Sequence, residues 1–268
     1  MRRRVVALAL LLGAGPIYAQ ARGEQPVITL GITGGWYAGS TLWEVPDQPF
    51  SPPDAGGGTD TFDLARSITP GLTFGVTGYY FLNNHFGLTG EMALIGLGSK
   101  TTCVPTVPTG SFQSKDLCNS LAQSSSIGSS VGMVVGGVYR VASREDATPF
   151  LSVRAGIRFA NTSPIQLEGT YLSSPNPPQK EFTKVIFYDP DNTRVEFYSQ
   201  LALGFSFAAG PGYRVRLEIR DNYTRAPIPL GPSDKVTGAY STGSVGKHIV
   251  SIVAGVDFVL EKKRGRRY

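Results

Sequence analysis

Residues 194–220 alternate between apolar and polar side chains with a period of two, interrupted once by Gly210-Pro211-Gly212. The apolar positions are Val195, Phe197, Leu201, Leu203, Phe205, Phe207, Tyr213, Val215, Leu217 and Ile219. A period of two is typical of a β-strand, because successive side chains of a strand point to opposite faces. The pattern therefore predicts two strands joined by a tight, glycine-rich turn.

The two faces of this predicted hairpin differ in chemistry. One face is apolar enough to contact lipid, whereas the other carries charges at Arg214, Arg216, Glu218 and Arg220. The strands of a transmembrane β-barrel have this character, apolar on the outside and polar on the inside. The hairpin therefore predicts a barrel that crosses a membrane.

Strand-like segments follow one another along the whole chain, and the connections between them alternate in length. The segments are residues 26–39, 64–81, 86–100, 126–141, 150–162, 194–209, 213–221 and 247–260. The short connections are 82–85, 142–149 and 210–212, and the long ones are 40–63, 101–125, 163–193 and 222–246. This rhythm predicts an all-β fold, namely an eight-stranded antiparallel up-and-down transmembrane β-barrel. Residues 185–188 indicate one more short strand within the third long loop, so ten strands stay open as the alternative.

The same alternation predicts which charged side chains point into the barrel. The inward set is Glu91, Arg140, Arg154, Arg158, Glu196, Arg214, Arg216, Glu218, Arg220 and Asp257. Eight strands enclose an interior just wide enough for side chains, and buried charges need partners. We therefore expect a plug of paired charges, in which Glu91, Glu196 and Asp257 form ion pairs with the arginines of residues 214–220. The alternative is a pore or funnel in which the arginines favour anions.

The first 21 residues have the parts of a secretory signal peptide. Arg2-Arg3-Arg4 precede an apolar run over residues 5–12, and Ala19 and Ala21 offer small residues for cleavage. The run is too short for a membrane helix, which needs roughly 20 apolar residues. We expect cleavage after Ala19 or Ala21 and export to a bacterial outer membrane. The barrel then covers residues 22–261, followed by a basic tail at 262–268.

The positive charge of the chain does not indicate a nucleic-acid partner. The formal net charge is +5, with 25 basic against 20 acidic residues. Arg2-Arg3-Arg4 leave with the signal peptide, which lowers the net charge to about +2, and the tail at 262–268 holds five of the remaining cations. The body of the mature chain is mildly acidic, which removes the support for nucleic-acid binding.

Cys103 and Cys118 are the only cysteines, and both lie in a Ser/Thr/Pro-rich segment. In an exported protein this pair predicts a disulfide that closes a surface loop. The only histidines, His85 and His248, do not have the spacing of metal ligands. We therefore expect neither a metal nor a cofactor.

The chain resembles the outer-membrane β-barrel family typified by the transmembrane domain of outer membrane protein A. The residues that carry the resemblance are the signal through Ala21, the hairpin at 196–220 and the final strand at 249–260. The resemblance is architectural and covers nearly the whole mature chain, so it implies fold and location rather than an activity. The chain departs from such barrels by continuing for ten residues after Phe258, the aromatic residue that would end the last strand.

Barrels of this architecture include lipid A deacylases, palmitoyltransferases and proteases, so an enzyme acting on lipid A or peptide is one alternative. Such chemistry needs at least a Ser–His or an Asp–His pair. His248 and Ser251 lie three residues apart on one predicted strand, which puts them on opposite faces. His85 lies in a short turn, away from the long loops.

We therefore expect a monomeric, non-catalytic barrel with a structural or surface-interaction role. Outer-membrane lipid and lipopolysaccharide would contact its wall, and the long loops are the candidate site for an extracellular ligand. A narrow porin-like channel is the main alternative.

Overall fold

The computed structural model of this chain describes residues 27–52, 58–106, 110–123, 125–141, 147–161, 163–189, 194–210, 212–234 and 239–260. The predicted signal peptide at 1–21, the basic tail at 262–268 and Pro211 lie outside the described residues.

Twelve strands and one helix occur in the described residues. In chain order they are β1 (Val27–Tyr37), β2 (Ser40–Phe50), β3 (Asp60–Thr69), β4 (Gly71–Phe81), β5 (Phe86–Pro105), α1 (Phe112–Gln123), β6 (Ser125–Arg140), β7 (Ala147–Ala160), β8 (Leu167–Leu172), β9 (Glu181–Phe187), β10 (Arg194–Gly210), β11 (Tyr213–Pro229) and β12 (Thr242–Leu260). No helix among them is long and apolar enough to cross a membrane, since α1 has only 12 residues.

Eight of the strands form a closed antiparallel ring. The order is β1-β4-β5-β6-β7-β10-β11-β12, and β12 closes the ring by pairing with β1. The eight-stranded up-and-down barrel is therefore confirmed, and the ten-stranded alternative is wrong. The short turns lie at one end of the barrel, called here the turn end, and the long connections lie at the other, the loop end.

The outer wall of the barrel is an apolar belt, as the alternation predicted. Its exposed side chains include Ile28, Leu30, Ile32, Leu72, Phe74, Val76, Leu88, Met92, Leu94, Val135, Leu151, Val153, Ile157, Phe197, Leu201, Leu203, Phe205, Leu217, Ile219, Val250 and Ile252. Aromatic pairs border the belt at the turn end, where the ring centroids of Phe86 and Tyr139 are 4.8 Å apart and those of Tyr213 and Phe258 are 5.4 Å apart. Strand β6 is apolar on both faces in sequence, and it directs Val134 and Val138 inward.

Several predicted boundaries differ from the observed ones. The segment 64–81 is two strands, β3 and β4, which lie one after the other along the same edge of the long strand β5. Pro70 separates them and has no N–H to contribute to a ladder. The predicted loop at 40–63 therefore contains β2 and the start of β3.

The predicted last long loop, 222–246, is also shorter than expected. Strand β11 continues to Pro229 and β12 begins at Thr242, with the two paired throughout. The outward positions beyond Arg220 are Asp221, Tyr223 and Arg225, which are not apolar. The apolar–polar alternation therefore ends with the belt, while the strands continue beyond it.

The long connections pack against one another into a second core at the loop end, called here the loop cap. It is built from β2, β3, the far end of β5, α1, β8 and β9. Its buried apolar residues are Leu42, Trp43, Val45, Phe50, Phe62, Leu64, Leu117, Leu121, Ile165, Leu167, Tyr171, Ile186 and Phe187. The indole of Trp43 donates a hydrogen bond of 2.9 Å to the carbonyl of Pro164, which joins the first loop to the third.

The short strand expected at 185–188 is part of β9, within the third long loop as predicted. Its partner is β8 rather than β10, and the two form a separate two-stranded sheet.

Helix α1 begins at a cap of hydroxyl and carboxylate groups. The Ser111 hydroxyl accepts a hydrogen bond of 3.2 Å from the backbone N–H of Ser114, as an N-cap residue does. The carboxylate of Asp60 on β3 accepts hydrogen bonds from the Ser111 N–H, at 3.0 Å, and from the hydroxyls of Ser111 and Ser114. The hydrogen bonds from Ser111 and then Ser114 hold the pKa of Asp60 below its ordinary value. The cap therefore ties α1 to the strand that carries Asp60.

The predicted disulfide is confirmed, since Cys103 on β5 is bonded to Cys118 on α1 with their Cα atoms 5.3 Å apart. Cys118 is flanked in the cap core by Leu117 and Leu121, whose side chains are fully buried. The bond therefore fixes the helix to an extension of a barrel strand.

Replacing both cysteines by serine is expected to lower the free energy of unfolding of the loop cap by about 3 kcal/mol, the chain-entropy value for a loop of this length. Trp36 lies on the barrel wall and Trp43 in the cap core, so each reports one region. The stability of the loop cap is measured by urea unfolding, followed by the fluorescence of Trp43 in a Trp36→Phe background. An unchanged midpoint for Trp43 would contradict a stabilising role of the disulfide.

Candidate functional site in the barrel interior

Four charged side chains from three strands form a closed ring across the lumen, called here the charge ring. Glu91 (β5) and Glu218 (β11) alternate in it with Arg154 (β7) and Arg220 (β11). Arg154 is 2.5 Å from Glu91 and 3.0 Å from Glu218, measured between nitrogen and carboxylate oxygen. Arg220 is 2.7 Å from Glu91 and 2.6 Å from Glu218. Each charge therefore has two partners of opposite sign.

The charge ring is sealed from solvent. The side chains of Arg154 and Glu218 are 0% exposed. Ser152 accepts a hydrogen bond of 3.0 Å from the Arg154 guanidinium, and Thr77 donates one of 3.3 Å to Glu91. Buried charges remain ionised only when they are paired and hydrogen-bonded, and this ring meets that condition.

Arg216 and Asp257 extend the charge ring toward the turn end. The Arg216 guanidinium lies 3.0 Å from the Glu218 carboxylate and 3.2 Å from that of Asp257. Gly31 faces Asp257 across the β1–β12 ladder, and a Cβ atom at Gly31 would lie only 3.2 Å from the Asp257 carboxyl carbon. The glycine on the inward face therefore leaves room for the carboxylate.

Arg158 and Glu196 form a separate ion pair nearer the loop end. They are direct neighbours on β7 and β10, and Thr224 donates a hydrogen bond of 3.3 Å to Glu196. The expectation that Glu196 pairs with the arginines of residues 214–220 is therefore wrong. Glu196 lies six positions along β10 from Ala202, the residue opposite Arg220, and a strand rises roughly 3.3 Å per residue.

Arg140 and Arg214 lie in the lumen at the turn end, where both are partly buried. The Arg140 guanidinium carbon lies 3.2 Å from the centroid of the Phe81 ring. Arg214 donates hydrogen bonds to Ser206 and to Thr148, at 2.8 Å and 3.0 Å. The structure thus places all ten predicted charges in the interior, and it joins six of them in one network.

A neutral polar network, which the sequence analysis missed, lies between the charge ring and the Arg158–Glu196 pair. Gln200 donates to the Tyr198 hydroxyl, which donates to Asn222, each at 2.8 Å. Asn222 in turn donates to Ser251 on the neighbouring strand at 2.8 Å. Each of these residues lies an even number of positions from Glu196, Glu218 or Asp257 on the same strand, so it points to the same face. The alternation could therefore have predicted that they point into the lumen.

Small cavities lie along the barrel axis between these layers. One of about 50 Å³ lies between the loop cap and the Arg158–Glu196 pair. A second of about 30 Å³ separates Arg158 from Arg220, and a third of about 10 Å³ adjoins Arg140 and Arg216. A water molecule needs roughly 10–15 Å³ of cavity volume, so each cavity holds at most a few waters.

Neither histidine points into the lumen. His248 lies on the outer wall, where its ring is 2.8 Å from Asp221 and 5.1 Å, between centroids, from the ring of Tyr223. Ser251 is buried inside the barrel, on the opposite face as predicted. An Asp–His pair therefore exists, but it faces outward beyond the apolar belt, away from the buried polar groups. Within the part of the chain that the structure describes, no group of His, Cys, Asp and Glu is arranged to hold a metal.

Comparison with known proteins adds distant structural likenesses. No protein-family model matches the sequence, and no curated protein matches it. Neisserial surface protein A is 10% identical over 88% of this chain and 99% of its own, with a TM-score of 0.41. The outer membrane protein OprG of Pseudomonas aeruginosa is 10% identical over 87% of this chain and 95% of its own, with a TM-score of 0.42. The outer membrane protease OmpT of Escherichia coli is 8% identical over 87% of this chain and 97% of its own, with a TM-score of 0.40.

The architecture is that of a small outer-membrane β-barrel. This assignment rests on the closed ring of strand pairs, the apolar belt and the polar interior of the chain itself. It confirms the resemblance that the sequence indicated.

Proposed function

We propose that this chain is a non-conducting barrel of a bacterial outer membrane that holds its loop cap at the cell surface as a binding platform. The apolar belt supports insertion into a bilayer, because closed barrels leave no strand edge unpaired in lipid. The signal peptide expected at 1–21 supports export. Outer-membrane lipid and lipopolysaccharide are then the partners of the belt, and the barrel acts as a monomer.

The charge ring carries the proposal of a closed lumen. It connects strands on different sides of the barrel, since the ion pair between Arg220 and Glu91 joins residues 129 positions apart. Moving any member aside to admit an ion would break two ion pairs in a sealed interior. Losing one partner of a buried pair costs about 3–5 kcal/mol, which opposes spontaneous opening.

The loop cap supports a role in binding. Its own core and its disulfide give it a defined shape, and disulfides persist in oxidising compartments such as the bacterial envelope. Apolar side chains remain exposed on it at Val104, Tyr188 and Leu230, with Tyr188 62% and Leu230 63% exposed. Exposed aromatic and apolar side chains on a rigid surface are typical anchors for a partner. We propose an extracellular ligand or protein as that partner.

A narrow gated channel is the second candidate function. The cavities on either side of the Arg158–Glu196 pair both include Arg158 and Thr224 in their walls. A rotation of the Arg158 side chain would join them into one space. The charge ring would still separate this space from the turn end.

Planar-bilayer recording of the purified full chain distinguishes the two functions. We expect no stable unitary current from the unmodified protein, because the charge ring leaves no space for a hydrated ion. Glu218→Ala, which removes the carboxylate shared by three arginines, is expected to produce an intermittent current. Glu168→Ala on the exposed face of β8 is the matched control and should stay silent. A stable current from the unmodified chain that disappears in Arg214→Ala or Arg216→Ala would refute the closed lumen.

A further inference from the structure

Positive charge exceeds negative charge at the turn end of the lumen. Arg140, Arg214 and Arg216 gather there around the carboxylate of Asp257. Arg216 is shared with Glu218 of the charge ring. The local set thus carries an excess of positive charge inside a wall that is apolar on its outer side.

Arg140 has donors that the protein does not use. In the described part of the chain its guanidinium makes no hydrogen bond or ion pair, and the guanidinium carbon lies 3.2 Å from the centroid of the Phe81 ring. A guanidinium has five N–H donors and no acceptor. The contact with the face of the Phe81 ring uses none of these donors in a hydrogen bond.

Two buried neighbours of Arg140 have unused donors as well. The side-chain nitrogens of Arg216 lie 3.0 Å from Glu218 Oε1 and 3.2 Å from Asp257 Oδ1. Within the described residues neither these nitrogens nor these two oxygens make a hydrogen bond, so the contacts are ion pairs of poor direction. The Tyr79 hydroxyl has no hydrogen-bond partner among the described residues either, and the Arg216 guanidinium carbon lies 4.7 Å from the Tyr79 ring centroid. Arg216 and Tyr79 are more than nine-tenths buried. A buried polar group without a partner is costly, so a well-directed acceptor for Arg216 and Tyr79 would stabilise this end of the lumen.

A cavity of about 10 Å³ adjoins all three donor groups. Its walls are Tyr79, Phe81, Val138, Arg140, Phe150, Ser206, Arg216 and Asp257. A cavity of this size has room for the centre of one small, spherical occupant. The apolar walls from Phe81, Val138 and Phe150 limit hydration, which strengthens electrostatic interactions inside.

We propose that this cavity binds one small anion of the size of chloride. The site offers donors from Arg140, Arg216 and Tyr79, and a second positive charge from Arg214, which is held by Ser206 and Thr148. Asp257 offsets only one of the three arginines. A neutral water would not offset the charge. The site shares Arg216 with the network that extends the charge ring, but its test measures thermal unfolding and not conductance.

This site is tested by the melting temperature of the full chain in detergent micelles. The melting temperature in potassium chloride is compared with that in potassium gluconate at equal ionic strength. Gluconate is too large for the cavity. At a chloride concentration ten times its dissociation constant, we expect a melting temperature about 4 °C higher in chloride. Arg140→Gln is expected to remove this difference. Arg225→Gln, at an exposed position on the outer side of β11, is the matched control and should retain it.

A second variant and a direct probe keep the test decisive. Tyr79→Phe removes one donor and no charge, and it should reduce the chloride-dependent rise even if Arg140→Gln does not fold. Crystals grown in bromide should give an anomalous peak between Arg140, Arg216 and Tyr79. Equal melting temperatures in the two salts, or a rise that persists in Arg140→Gln and Tyr79→Phe, would overturn the proposal, as would bromide found only elsewhere.

Discussion

Glu218→Gln is expected to lower the free energy of unfolding of the barrel by about 3–5 kcal/mol, the range for breaking a buried ion pair. Glu218 contacts Arg154, Arg216 and Arg220, and its side chain is 0% exposed. Glutamine has nearly the same shape, so the variant removes a charge without opening a cavity. Three buried guanidinium groups would then share the carboxylates of Glu91 and Asp257.

Urea unfolding in lipid vesicles measures this effect through the fluorescence of Trp36, which lies on the barrel wall. A Trp43→Phe background removes the signal of the loop cap. Glu168→Gln makes the same chemical change at an exposed position on β8 and should shift the midpoint very little. A loss below 1 kcal/mol in Glu218→Gln would show that the charge ring contributes little to stability.

Leu217→Arg is expected to destabilise the membrane-inserted barrel by about 2–4 kcal/mol, the cost of an arginine on the lipid face near the bilayer midplane. Leu217 points outward between Phe205 on β10 and Ala254 on β12. It lies midway along the outward apolar positions of β11, which begin at Tyr213 and end before Asp221. A charge there has neither water nor a counter-ion within reach.

The control for this variant is Leu230→Arg, which introduces the same residue just beyond the end of β11. Leu230 is exposed outside the apolar belt, so this change should be nearly neutral. The two variants are compared by urea unfolding in vesicles and by the yield of folded barrel on heat-modifiable gels. If both variants lost the same stability, the apolar belt would not be a lipid-facing surface.

The orientation of the inward side chains followed from the sequence because strand parity is strict. A one-residue slip moves a side chain to the other face, so identifying one apolar face assigned Glu91, Arg154 and Glu218 to the lumen. The same rule separated His248 from Ser251. The rule did not show where β3 ends and β4 begins, because apolar and polar side chains alternate in both strands and the two lie in line along β5.

The pairing of charges did not follow from the sequence. Glu196 pairs with Arg158 because β7 and β10 are neighbours with that register, and no local pattern states which strands are adjacent at which depth. Arg140 illustrates the same point, since its contact with Phe81 depends on side chains that meet only across the lumen. The packing of the loop cap could not be predicted from local patterns either, because its core joins apolar residues from separate long connections.

The sequence by itself determined the class of fold, the lipid-facing and lumen-facing positions and the disulfide, whereas the closure of the ring decided between eight and ten strands. It could do so because side-chain parity, turn residues and loop lengths are local properties of a strand. The tertiary structure alone decided the charge ring, the unused donors around Arg140 and the packing of the loop cap. These depend on register and on the closure of the barrel, which bring residues such as Glu91 and Arg220 together across 129 positions of chain.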